Sequence, residues 1–249
     1  MLFIIKSVGY NYLSNLETLP SKVSAIHVIL YMTTQTLPAP EVYQGQFGEF
    51  TINKGDRTGV IIYRSGLMVA AVCFAIATAL VLFNPHPSIF SWLTLLYACF
   101  SLALGVSLLT IHIYMVELHR ILQVFWAIGS ISSIAVALSS SEPLAVTVYT
   151  QPLTLLGVGF TFAALTGIYF KEGFCFNRLE TKVLTPIVPL LLLGHLLGIL
   201  PMQWERVLLG IWAIFFIVFV VRKVVQAIPP DIGDKSVFDY LKSQRAAKV

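Results

Sequence analysis

The chain has 249 residues, of which 57% are hydrophobic and 11% charged, and its mean hydropathy is +0.83. Soluble domains carry about 25% charged residues, so an ordinary water-soluble globule is excluded and one compact all-α membrane bundle is expected. The formal charge of +4 and pI near 9.0 reside in residues that flank apolar runs. That placement favours contact with anionic headgroups and gives no reason to expect a nucleic-acid partner.

Residues 1–58 read as a cytoplasmic N-terminal segment. The stretch after Met1 is broken by Lys6, Asn11, Asn15 and Glu17, which does not follow the order of a signal peptide. Met32-Thr33-Thr34-Gln35-Thr36 resembles a polar chain start. One expectation is therefore that residues 1–31 are not translated, and the other is a genuine extension, disordered or interfacial. Residues 48–63 fit either a hairpin around Asn53-Lys54-Gly55-Asp56 or a helix capped by Asp56. The helix is favoured, because 59–63 join the first apolar run without a breaker.

A hydrocarbon core about 30 Å thick needs roughly 20 apolar helical residues. Six runs qualify: 60–83, 88–114, 121–138, 152–170, 183–200 and 207–221. Asn84-Pro85-His86-Pro87 and Ser139-Ser140-Ser141-Glu142-Pro143 are turns between runs, and 144–151 either lies along the interface or lengthens the fourth run. The transmembrane domain is thus 59–228, with both termini cytoplasmic and a basic cytoplasmic tail over 229–249. In that tail Ser236-x-x-Asp239 resembles a capping box, and Val237, Tyr240 and Leu241 share a face. A short amphipathic C-terminal helix on the headgroups follows.

Orientation comes from the basic residues. Assigned to alternate connections, 15 of the 16 Lys and Arg fall on one side and only Arg206 on the other. Basic residues near a span are retained in the cytoplasm.

Small residues recur every fourth position in Ala71-Ala75-Ala79, Gly129-Ser133-Ala137, Gly159-Ala163-Gly167 and Gly194-x-x-x-Gly198. Such ridges let membrane helices approach closely. In the sixth run Trp212, Phe215, Phe216 and Phe219 form a stripe that suits packing or lipid better than a pigment or quinone. Phe74-Ala75-x-x-Thr78 recurs as Phe162-Ala163-x-x-Thr166, a faint internal similarity.

Few residues carry candidate chemistry. Ionisable groups inside a span are functional suspects, because placing them there is costly. His195 and His112 qualify, the first weighed between a satisfied structural histidine and a metal, haem or proton-relay role, the second against a ring at the end of its span that simply reaches the headgroups. His112 and His119 share a helix face, but seven residues separate the rings by about 10 Å, too far to share one ion. No metal, cofactor or catalytic set is expected. The densest polar element is the loop from Lys171 to Lys182, with Phe174, Cys175, Phe176, Arg178 and Glu180. Its aromatic residues are costly to leave bare, so it is a candidate docking loop for the bundle or for other membrane-protein subunits. Downstream, Pro186 and Pro189 interrupt the fifth run. Either Thr185 caps a helix with Pro186 in its first turn and Pro189 kinks it, or the helix starts near Pro189.

Tyr43-Gln44-Gly45-Gln46-Phe47-Gly48-Glu49-Phe50, Asp56-Arg57-Thr58-Gly59-Val60-Ile61-Ile62-Tyr63-Arg64-Ser65-Gly66 and the segment from Phe170 into Gly198 resemble an uncharacterised integral membrane protein family of cyanobacteria. The resemblance runs from about residue 42 to 228. It implies a bacterial plasma or thylakoid membrane and brings no activity with it. Three classes follow: a non-catalytic assembly, stabilising or regulatory factor; a small-solute carrier or channel; and, least favoured, a histidine-dependent redox or lipid-modifying enzyme.

Overall fold

The computed structural model describes residues 41–84 and 86–246. The expectations for 1–31 lie outside the described residues. From Val42 the chain opens with a two-residue hairpin, β1 (Val42–Gly45) against β2 (Gly48–Thr51). Tyr43 faces Phe50 across it, their rings 5.6 Å apart, the kind of cross-strand pair that stabilises a sheet. Gly48 closes the turn at φ 140, a conformation that favours glycine.

Helix α1 (Lys54–Phe83) begins six residues before the expected 60. Asn53 and Asp56 form a reciprocal capping box, each side chain accepting the other's backbone N–H at 2.8 Å. Hairpin and helix therefore coexist. The hairpin uses an earlier turn than expected, and Asp56 is the third helical residue of the box rather than the cap. At 30 residues α1 is about 45 Å long at 1.5 Å per residue, longer than a hydrocarbon core of about 30 Å is thick.

The next spans are α2 (Ile89–Thr110) and α3 (Val116–Ser139). A short helix α4 (Leu144–Thr150) and a 3-10 turn (Pro152–Thr154) lead into α5 (Leu155–Phe176). Helices α6 (Leu179–Leu196) and α7 (Met202–Val224) complete six apolar helices long enough to cross a membrane. A single turn α8 (Pro229–Ile232) and the short C-terminal helix α9 (Lys235–Ala246) follow.

Neighbour packing runs α1–α2, α2–α3, α3–α5, α5–α6, α6–α7 and back to α1, so the helices form a ring in sequence order. Its axis is filled. Phe74, Phe100, Phe162 and Trp212, from four helices, make a closed circuit with centroid separations of 6.1, 5.7, 5.4 and 4.5 Å. Phe74 and Phe162, the residues of the faint repeat, occupy opposite corners. Trp212, Phe216 and Phe219 are buried, so the sixth-span stripe turns inward.

The small-residue ridges divide. A Cβ at Gly129 would lie 2.3 Å from the backbone N of Thr161 and one at Gly167 would lie 2.2 Å from Leu122, so both bring α3 against α5. Gly159 has nothing within 4 Å of such a Cβ. Ser133 is held differently, by the Tyr97 hydroxyl at 2.6 Å, which also meets Thr161 at 2.9 Å.

Three expectations are corrected. Residues 171–182 are not a loop: α5 continues to Phe176 and α6 starts at Leu179, leaving Asn177 at φ 51 and Arg178 as the connection. The polar sequence forms the end of one helix and the start of the next. Helix α6 also runs through both prolines, each removing the N–H that would bond the carbonyl four residues earlier. It closes in a Schellman motif, with Gly198 donating to His195 O at 3.0 Å and Ile199 to Gly194 O at 3.1 Å. Finally, α9 does not present its apolar face to headgroups alone. Tyr240 stacks on Phe47 at 4.0 Å, Phe238 meets Tyr114 at 4.8 Å, and Asp234 takes the capping role expected of Ser236, its carboxylate accepting the Ser236 N–H at 2.9 Å.

Candidate functional site: the ion-paired end of the bundle

The N-terminal part of α1 and the C-terminal ends of α5 and α7 meet at one end of the ring, called here the basic end. Arg64 lies on α1, ten residues after its start. Its Nε and Nη2 both reach Asp231 Oδ2 at 2.8 Å. Its remaining N–H groups donate to Gln226 O at 2.6 Å and Ala227 O at 2.9 Å, binding the segment that leaves α7. The turn α8 supplies Asp231, whose other oxygen accepts from Lys223 Nζ at 2.5 Å.

Lys223 is fully buried and bridges two carboxylates, because its Nζ also lies 2.5 Å from Glu172 Oε2. Glu172, equally buried, receives the Tyr63 hydroxyl at 3.0 Å and Lys171 Nζ at 2.9 Å on Oε1. Phe176 sits among the cations, with Lys223 at 4.1 Å and Lys171 and Arg178 each at 5.6 Å from its centroid. Arg178 donates to Gln226 Oε1 at 2.5 Å, and Gln226 donates to Asp231 at 3.2 Å. Arg222 pairs with Glu180 at 2.7 Å. Taking these charges out of water costs several kcal/mol per ion unless each is paired and hydrogen-bonded. The pairing is nearly complete: among the described residues, only Arg178 Nη1 and Glu180 Oε1 are buried side-chain polar atoms without a partner.

The layer holds α1, α5, α6, α7 and the tail together. Every Glu172 and Asp231 oxygen accepts from at least one donor. Arg178 and Glu180, two of the expected docking residues, belong to this layer, as does Phe176. Phe174 points away, 84% exposed and stacked on Phe170 at 6.5 Å, and Cys175 is exposed. Tyr63, Arg64, Lys171, Glu172, Lys223 and Asp231 were not singled out as a site by sequence. The available signal was an arginine four residues into an apolar run and a lysine at the end of another.

The histidines lie elsewhere. His112 is not within a helix, because α2 ends at Thr110 and Ile111 turns extended at ψ 137. Ile111 and Ile113 point inward, leaving His112 against Gly59, where its ring would lie 3.5 Å from a Cβ. Burial holds its imidazole below the ordinary value, against the pull of Asp56. His119 meets the carbonyl of Leu108 at 2.6 Å, serving the C-terminus of α2. His195 is not deep in a span but in the last turn of α6, at the opposite end. Its Nδ1 lies 2.7 Å from Glu205 and its Nε2 lies 3.1 Å from Tyr149 O, with Tyr149 stacked on it at 4.7 Å. Pro189 is interior to α6. Among the described residues no group of three or more His, Cys, Asp or Glu is placed to hold a metal ion.

A family model described as an uncharacterized integral membrane protein (DUF2301) matches residues 106–240, more than half of the chain. The chain belongs to this family. The DUF2301 match takes in Lys171, Glu172, Arg178, Lys223 and Asp231 but leaves out Tyr63, Arg64 and the hairpin. The resemblance read from the hairpin and the start of α1 therefore lies outside it. No curated protein and no solved structure matches the chain.

Proposed function

We propose that this DUF2301 protein is a non-catalytic membrane subunit that assembles, stabilises or regulates a larger membrane complex. The observation that supports the reading is the closed interior: an aromatic circuit fills the ring axis, and the charged groups at the basic end are spent on one another. A carrier would need both layers to part. The basic end is proposed to face the cytoplasm, on the 15-to-1 distribution of basic residues, with anionic headgroups and other membrane-protein subunits as partners. A bacterial plasma or thylakoid membrane is the proposed location.

Purification from native membranes in mild detergent tests this reading. Stoichiometric co-migrating subunits are expected. A colourless protein without partners that moves a solute in proteoliposomes would replace it with the carrier, and a visible absorption band would replace it with a redox enzyme.

A further inference from the structure

Helices α2 and α3 are joined by only residues 111–115, yet they pack mainly on different neighbours, α2 on α1 and α3 on α5. The splay leaves an open groove of about 400 Å³, within the range of roughly 300–1,000 Å³ for small-ligand sites. Its walls are apolar, with Leu108 and Leu109 on α2 and Val124, Trp126 and Ala127 on α3. Trp126 is held in place. Its Nε1 donates to Ser101 O at 2.8 Å, and its ring lies so close to Gly105 that a Cβ there would come within 2.4 Å.

The groove has a polar mouth at the basic end. Arg120 stands in the second turn of α3, at the end where α2 finishes with Leu108 and Leu109. Its side chain is exposed, and no carboxylate among the described residues forms an ion pair with it. Gln123, the other polar residue of the lining, already donates to Leu108 O at 3.3 Å. Helix α3 also buries only 17% of its span, against 33–39% for the other five, so an occupant of the groove would supply packing that this helix lacks.

An exposed guanidinium at the end of an apolar slot matches an amphiphile with a negative head. We propose that the α2–α3 groove binds one lipid with an anionic, phosphate-bearing headgroup, its acyl chain along Trp126 and Ala127 and its headgroup on Arg120. The site is independent of the ion-paired layer and of the assembly role.

The test uses delipidated full-length protein in a non-denaturing detergent, with native mass spectrometry and thermal unfolding as readouts. Phosphatidylglycerol is expected to bind one per chain, more tightly than phosphatidylcholine. Arg120→Gln should weaken phosphatidylglycerol about fivefold, the worth of one basic residue near a membrane surface, and bring it to the phosphatidylcholine level. Ala127→Phe, which fills the groove, should weaken both lipids; Leu109→Trp does the same from the exposed face of α2 should Ala127→Phe not fold. Inorganic phosphate alone should leave the melting temperature unchanged. Variants that bind phosphatidylglycerol as the parent does, or a full stabilising response to inorganic phosphate, would overturn the proposal.

Discussion

Arg64 and Asp231 are 167 residues apart in the chain and 2.8 Å apart in space, and through this contact the segment after the last span is tied to the first. Lys223 extends the tie to Glu172 on α5. The ion pairs thus fix where the tail lies. Beyond them the tail clasps the hairpin, with Gln46 N–H on Asp234 at 2.6 Å and Phe47 N–H on Ser236 at 3.0 Å, and reaches the start of α1, with Lys235 on Asp56 at 2.8 Å.

Lys223→Met should be among the most damaging single substitutions at this end. It leaves two buried carboxylates short of a cation, and breaking a buried pair by removing one partner costs about 3–5 kcal/mol. Denaturant unfolding in detergent measures it. A loss below about 1 kcal/mol would show that the carboxylates are hydrated rather than sealed.

Two glycines on adjacent helices should behave oppositely. Gly129→Ala pushes a methyl into the Thr161 backbone, and overpacking of this kind costs about 1–3 kcal/mol. Gly159→Ala meets open space and should be neutral or stabilising by up to about 1 kcal/mol, the helix preference of Ala over Gly. Thermal unfolding of the two variants side by side decides whether α3 and α5 touch where described.

The six spans were legible because 20-residue apolar runs have few alternative fates. Their ends were not. Asn53 and Asp56 start α1 within polar sequence, and Lys171 and Glu172 continue α5 where hydropathy has already fallen. The ion-paired layer was illegible for a related reason. Sequence spacing reveals partners three or four residues apart on one helix, whereas Glu172 meets Lys223 51 residues on and Tyr63 109 residues back. Read singly, each was an interfacial charge. His195 shows the converse: placing the fifth span four residues too late made an end-of-helix histidine look buried.

The hairpin clasp should loosen in acid. The Gln46 N–H, and then Ser236, hold the Asp234 carboxyl below the ordinary aspartate value of 3.8. Its folded value is thus lower than its unfolded one, so the stabilisation is fully present above 3.8 and is lost as pH falls through the folded value. Hydrogen exchange at Gln46 and Phe47, corrected for intrinsic rates, should lose protection over that range. Asp234→Asn should remove the pH dependence; an unchanged profile in that variant would assign it to another group.

Orientation is read by reporters. Fusions after Val249 and at Cys175 should report cytoplasm, and one at Glu142 should not, given the distribution of Lys and Arg. A cytoplasmic signal at Glu142 would invert the proposed topology.

The sealing of the basic end by paired charges is tested most directly by a double-mutant cycle on Arg64→Ala and Asp231→Ala, with unfolding free energy as the readout. Residues sharing an ion-pair network couple by about 0.5–3 kcal/mol, and the two-bonded geometry at 2.8 Å places this pair toward the upper end. The double variant should therefore be less destabilised than the sum of the singles by at least about 1 kcal/mol. Strict additivity, within about 0.5 kcal/mol, would mean that the tail is not held by this contact and that the ion-paired layer does not close the bundle.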